Sequence, residues 1–255
     1  MTDTTHTIIT MDQRPDLISA AQRLPSAAWP TFMMQDNLVE RYWMRLYEVY
    51  PEYQFVLVEP DTERIVAMGN SVPLVWDGRP EDLPAGGIDW ILPAAFDNPP
   101  PFEGQGICQF ALQIVVDPGL RGRALSGSAV QAMLDIGRRH GCRSLFAPVR
   151  PNQKHMYPLT PIERYIHWTN NEGLPFDAWM RVHARLGAKT VGVCGESMRI
   201  TGTIAQWENW IGLSFPESGP YVVPLALVPV QMDRERDLGL YIEPNVWMQH
   251  VIMGD

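Results

Sequence analysis

The chain has 255 residues, 45% of them hydrophobic, and a formal charge of −9 from 29 acidic and 20 basic side chains. Such a chain can bury a sizeable core, and its acidity argues against nucleic acid or an anionic membrane as the main partner, so any anion site must be local. Cys108, Cys142 and Cys194 lie far apart without paired Cys or His spacing. No apolar run reaches the roughly 20 residues of a membrane span, and the first residues lack the order of a signal peptide, so a soluble, reduced, cytoplasmic protein without a metal is expected.

In chain order, "DNLVERYWMRLYEVY" (36–50) predicts one helix opened by Asp36, since Leu38, Tyr42, Leu46 and Val49 recur at helical spacing. "QFVLVEP" and "RIVAMGNSVPLVW" predict strands of a hairpin. Residues 77–106 are dense in proline and glycine and predict a long ordered loop or lid, packed down through Trp90, Ile91, Leu92 and Phe96. "ICQFALQIVV" (107–116) is an almost continuous apolar strand. The helix after it carries Ala129, Val130, Met133, Leu134 and Gly137 on one stripe and stops at Gly141, and "CRSLFAPV" (142–149) is the next strand, parallel to the first. Thr160, Pro161 and Glu163 have the spacing of a helix start, and "DAWMRVHARLGA" (177–188) is a helix from Asp177 to Gly187. Strands at "KTVGVCG" and "ESMRI", a small helix at "TIAQWENWIG", and a last pair, "YVVPLALVPVQM" and "LGLYIEP", turned by "DRERD", complete the chain.

The segment "VVDPGLRGRALSGSAVQAMLDIGRRHG" (115–141) places two arginines where strand gives way to helix. The first amides of a helix have no internal partner and the helix dipole adds positive charge there. Gly119, Gly122, Ala124, Ser126 and Gly127 would let a diphosphate approach the backbone, with Arg121 and Arg123 adding charge. A solvated turn with arginines for solubility is the alternative. The spacing matches neither the dinucleotide fingerprint nor the nucleotide P-loop.

On these residues the chain resembles the GNAT superfamily of acyl-CoA-dependent N-acyltransferases. Val116, Pro118, Arg121 and Gly122 match that family's diphosphate turn, while Ala124 and Ser126 stand where it prefers glycine or alanine; Leu186 and Gly187 match its Leu-Gly segment, with Ala188 replacing an aromatic. The resemblance implies an α/β fold, a mixed central sheet flanked by helices and interrupted by long insertions. It covers about 36–200 of a single domain spanning 1–255, with residues 201–255 expected to close the sheet within the chain rather than across a subunit interface, although a homodimer stays open. It implies acetyl-CoA or another acyl-CoA as co-substrate, held by Ile114, Val116, Arg121, Gly122, Arg123, Ala124, Leu125 and Ser126, and acetyl transfer to the amine of a small molecule. His183 stands where the family has the tyrosine that protonates the departing thiolate, so it reads as a general acid or as a hydrogen-bonded helix histidine.

The insertion between Asn152 and Asp177 reads as an acceptor lid bearing Tyr157, Glu163 and Tyr165, or as a dimer contact or surface elaboration. Glu103, Glu163 and Glu172 border the expected acceptor space, and spacing does not single out a base. Two rival functions share the fold: an acyl-CoA decarboxylase or hydrolase, and a non-catalytic acyl-CoA-binding module.

Overall fold

A computed structural model describes residues 6–76, 79–97, 106–120 and 125–253. Helices and strands alternate around a mixed sheet, the α/β architecture expected. The first strand, β1 (Thr7–Thr10), which the residue pattern does not announce, pairs antiparallel with a later one, β2 (Gln54–Val58). Between them lie short helices α1 (Ile18–Ala21), α2 (Arg23–Ala28), α3 (Asn37–Tyr42) and α4 (Arg45–Val49). The single helix expected over 36–50 is thus two. Asp36 caps the first as expected, accepting from Leu38 and Val39 N–H. The ladder then tightens to three-residue bonds, Leu46 to Trp43 and Tyr47 to Met44, and breaks there.

β3 (Ile65–Val75) completes the hairpin, and α5 (Gly87–Asp97) follows inside the segment expected to be loop. Proline and glycine density misleads here because a buried stripe outweighs it: Ile88, Ile91, Leu92, Ala95 and Phe96 recur at helical spacing and all are buried, even with Pro93 inside the helix. β4 (Ile107–Val116), α6 (Leu125–Arg139) and β5 (Ser144–Val149) form the expected strand–helix–parallel-strand unit. All five residues of the α6 stripe are buried. The helix stops at Gly141, whose φ of 70° suits glycine, with Cys142 N–H closing back on the Gly137 carbonyl.

α7 (Ile162–Tyr165) begins at Pro161 without the side-chain cap expected from Thr160, whose amide instead closes a turn on Tyr157. α8 (Ala178–Arg185) is capped by Asp177 as expected. The two strands read at 189–200 are one, β6 (Lys189–Gly202), broken in register between Cys194 and Met198. After α9 (Ile204–Ile211), the apolar run "YVVPLALVPVQM" is mostly not strand: only β7 (Gly219–Tyr221) and β8 (Val230–Asp233) are. Pro224 and Pro229 have no amide to give a ladder, and Leu225 sits at φ 66°; the run is apolar because Val223, Ala226 and Leu227 pack into the core. The last strand, β9 (Leu238–Val251), pairs with β5, β6 and β8.

The strand order is β1-β2-β3-β4-β5-β9-β8-β7, with β6 also on β9, and among the described strands only the β4–β5 pair is parallel. Cys108, Cys142 and Cys194 are buried. Among the described residues no helix is long and apolar enough to cross a membrane, and no three His, Cys, Asp or Glu side chains gather as metal ligands.

One strained contact sits where α3 meets α5. Asp36 Oδ2 and Asp89 Oδ1 are buried without a donor, the second Asp89 oxygen accepting from Arg199 N–H. Burial, and then the neighbouring Asp36 charge, push Asp89 up to about 8. An unfolded aspartate titrates near ~3.9, so folding takes up a proton between these values and stability falls as pH rises through that window. Asp89→Asn should therefore melt above wild type at pH ~8 and lose most of that margin towards pH ~4, where the folded carboxyl is protonated and the unfolded one about half so. Thermal melts at the two pH values check it; an equal margin at both would refute the account.

Candidate active site

β4 and β5 share only two ladder pairs, Gln109 with Leu145 and Phe110 with Phe146. Just beyond, β4 carries one extra residue: Ala111 pairs with Ser71 and Gln113 with Asn70, leaving Leu112 as a bulge. A bulge bends its strand. The two strands separate, and a cleft opens between Ala111–Ile114 of β4 and the end of β5 with Arg150 just beyond it, holding about 960 Å³ with its open mouth included.

The walls come from distant parts of the chain. Trp29, Met33, Met34 and Trp43 close one side, α8 contributes Trp179 and His183, and β9 contributes Glu243 and Asn245. The Trp29 indole is set by a relay of amides: its Nε1 donates to Gln113 Oε1 (3.1 Å), Gln113 Nε2 donates to Asn70 Oδ1 (2.9 Å), and Asn70 Nδ2 donates to Gln54 Oε1 (2.9 Å). The bulge that parts the strands thus also aims Gln113. Such an apolar concavity with a few fixed polar groups has the character of a small-molecule site.

The full charges of the cleft wall are Arg150 and Glu243. Arg150 Nε lies 2.9 Å from both Glu243 oxygens, and its Nη2 donates to the Leu225 carbonyl. Tyr241 donates its hydroxyl to Glu243 Oε2 (3.0 Å). Glu243 is fully buried, and that burial holds its carboxyl above the usual range although Arg150 and Tyr241 pull it down. Asn245 Nδ2 donates to Ser197 Oγ (2.9 Å) and the Pro148 carbonyl (3.3 Å), which fixes the amide and leaves Oδ1 buried without a donor.

His183 lies 2% exposed in the wall, its Nδ1 2.9 Å from Nε2 of His250 and its ring edge-on to Trp179. Burial, and then the His250 ring, push its pKa down to about 3, so at neutral pH the ring carries no charge. A general acid poised before turnover would need the imidazolium.

Of the residues expected to hold the carrier, Ile114 lines the cleft. Val116 is half-buried further along β4, Ser126 is half-buried in the first turn of α6, and Leu125 points into the core. Arg121, Gly122, Arg123 and Ala124 lie outside the described residues, as does Glu103. Tyr157, Glu163 and Tyr165 do not reach the cleft. Tyr165 is buried with its hydroxyl on Asp177 (3.0 Å), Tyr157 packs with Tyr165, Trp168 and Phe176, and Glu163 is exposed. The insertion is drawn into its own aromatic cluster because Asp177 also accepts from the amides of Asn152 and Gln153, tying its two ends together. Glu172 pairs with Arg185 at the surface. Residue pattern alone misses Trp29, Arg150, Glu243, Asn245 and His250. The available signal was a glutamate inside the otherwise apolar run "LGLYIEPNVWM".

The model of the acetyltransferase (GNAT) family matches residues 15–160. The chain is 30% identical to the arginine N-acetyltransferase avaD of Aspergillus versicolor over 97% of its own length and 94% of the relative's. The loading GNATL domain of CurA from Lyngbya majuscula shares the fold at a TM-score of 0.59 and 18% identity, covering 97% of this chain and 98% of that one. The GphF GNAT-like decarboxylase in complex with isobutyryl-CoA does so at 0.58 and 17%, covering 97% and 100%.

The buried Arg150–Glu243 pair makes its own prediction. Removing one partner strands the other's charge, so Arg150→Met should cost about 3–5 kcal/mol, and adding Glu243→Leu should recover most of it. Urea unfolding of the single and double variants measures both; a double variant no more stable than the single would show that the pair is not the source of the loss.

Proposed function

The chain belongs to the acetyltransferase (GNAT) family and is an N-acetyltransferase drawing on acetyl-CoA; from that premise we propose that its acceptor is a small cation whose amine or guanidinium nitrogen enters beside Glu243. The observation that carries the proposal is that Glu243 is the sole carboxylate of the cleft wall among the described residues. Its raised pKa brings it closer to that of the proton it must remove. Trp29, Trp43 and Trp179 give the acceptor's body an apolar and aromatic bed, on which a cation is also favoured. The relative's arginine is a molecule of this kind.

In this reading acetyl-CoA lies along β4, on the side where the strand has left β5. Beyond Phe110 no described strand pairs with that side, so the backbone around Ile114 and Val116 can meet the amides of pantetheine. Residues 121–126 then take the diphosphate. Glu243 removes a proton from the acceptor, which frees a lone pair for attack on the thioester carbonyl. Arg150 keeps the carboxylate in place throughout, and the Trp29 relay holds the acceptor's wall still.

The test is acetyl-CoA with a panel of L-arginine, agmatine, arginine-containing small peptides and arylalkylamines, scored for acetylated product by mass spectrometry and for free thiol. Acetylated guanidine or amine is expected from the arginine-like members. Free thiol without any acetylated product would instead favour hydrolysis. Glu243→Gln, which still accepts from Arg150, should lower kcat by ~10²-fold or more. Wild-type kcat/KM should fall on the acid side at a higher pH than an ordinary glutamate would give, because the base works only when ionised. An unchanged acid limb in Glu243→Gln would assign the base elsewhere.

A further inference from the structure

Arg150 uses only part of its hydrogen-bonding capacity inside the protein. A guanidinium carries five N–H donors in a fixed plane. The Nε–H serves both oxygens of Glu243, and Nη2 serves the Leu225 carbonyl. Nη1 makes no hydrogen bond among the described residues, yet it is not one of the atoms sealed from solvent without a partner. The Tyr241 hydroxyl also lies near the guanidinium, but its proton goes to Glu243 and its oxygen accepts from Leu227 N–H. Both N–H groups of Nη1 are therefore left over. Arg150 lines the cleft, its side chain is 14% exposed, and its guanidinium carbon stands 5.8 Å from the centroid of the Trp29 ring, which belongs to the wall supplied by residues 25–43. Nη1 thus opens on the space between Trp29 and the end of β5, where Pro148 and Val149 make the wall apolar. An acceptor that fills this space displaces the water Nη1 can reach, and a charged donor left unpaired in an apolar wall is costly. The acceptor itself has to bring an oxygen.

We infer that Arg150 determines specificity, its Nη1 holding a carbonyl oxygen of the acceptor, so that the acceptor is an amino acid or a small peptide in preference to a simple amine. The inference deepens the acetyltransferase reading above and rests on it, because there the acceptor nitrogen enters beside Glu243. Arg150 and Glu243 are a neutral pair with two unlike ends. The carboxylate end takes the cationic nitrogen, and the guanidinium end takes the oxygen. A molecule that carries both groups is held at two points and so is oriented as well as bound. A free carboxylate and an amide share this oxygen, and a charged donor strengthens its hydrogen bond to either. A simple amine would instead press a methylene against Nη1. A site built to hydrogen-bond a group rejects the analogue lacking it far more strongly than an apolar pocket rejects a change in size.

The test compares acceptors that differ at this one group: L-arginine with a carboxylate, L-argininamide with an amide, and agmatine with neither. With wild type and acetyl-CoA, kcat/KM for acetylated product should be ~10-fold or more higher for at least one of the first two than for agmatine. A higher value for the free acid assigns the oxygen to a carboxylate; a value for the amide that is equal or higher assigns it to a neutral carbonyl such as a peptide supplies. Agmatine within about threefold of both would overturn the inference. Arg150→Gln, whose amide can still donate to Glu243, should be slower with every acceptor, and its preference over agmatine should shrink to within about threefold. A purely structural Arg150 would slow all three acceptors and leave the preference as in wild type, and that result would overturn the inference too. Should Arg150→Gln fail to fold, the wild-type comparison decides alone. No acetylated product from any acceptor sinks the transfer reading, whereas product from all three at like efficiency sinks only the role given to Arg150.

Discussion

The separation of β4 from β5 is the constraint on which the site depends. Its apex is the Phe110–Phe146 pair, ring centroids 5.3 Å apart, and Phe110 is wedged further by Trp90 and Trp247. Beyond that locked point two features keep the strands apart. The Leu112 bulge bends β4, and Pro148 deprives β5 of an amide at the level where the strands have parted. A continuous ladder would satisfy more backbone groups and close the sheet. The chain leaves that stabilisation unmade and keeps an unpaired length of β4 backbone along the cleft.

The polar groups around the cleft follow the same logic. A fully buried glutamate on a mostly buried arginine, an amide oxygen without a donor and an imidazole nitrogen without a donor each oppose folding. They are tolerated because the framework over-determines them. Glu243 is held by Arg150 and Tyr241, Asn245 by Ser197 and Pro148, and His183 by His250 and Trp179. Each unit belongs to the cleft wall. Preorganised groups of this kind need little rearrangement when charge moves, which is where electrostatic stabilisation of a reaction originates.

What was legible in the sequence was local. The β4–α6 turn, the α6 stripe, the Gly141 stop and the Asp177 cap each depend on a few adjacent residues, and all of those lying within the described residues stand where the pattern puts them. The errors arose where burial by distant elements decided the outcome. α5 forms despite Pro93 because its stripe has a core to enter, while "YVVPLALVPVQM" stays largely irregular because Leu225 and Leu227 serve their backbone atoms to Arg150, Lys154 and Tyr241. The acceptor wall was hidden for the same reason. Trp29 precedes the segment carrying the resemblance, and Glu243, Asn245 and His250 follow it on a strand whose pairing spans much of the chain.

This division has a consequence for how specificity is built. On the proposed reading the carrier side of the cleft comes from contiguous chain, β4 and the start of α6, and would be gripped mostly by backbone, which constrains side chains little. The acceptor side would be assembled from residues 25–43, Arg150, α8 and β9, where side-chain chemistry would decide what fits. Similarity confined to the first part speaks to the reaction alone, and the family match ends at residue 160, before α8 and β9 begin. Similarity to avaD continues through both. On the proposed reading a substitution at Trp29 would reshape the acceptor wall, whereas one at Glu243 would cost turnover before it changed the choice of acceptor, because Glu243 is the base itself.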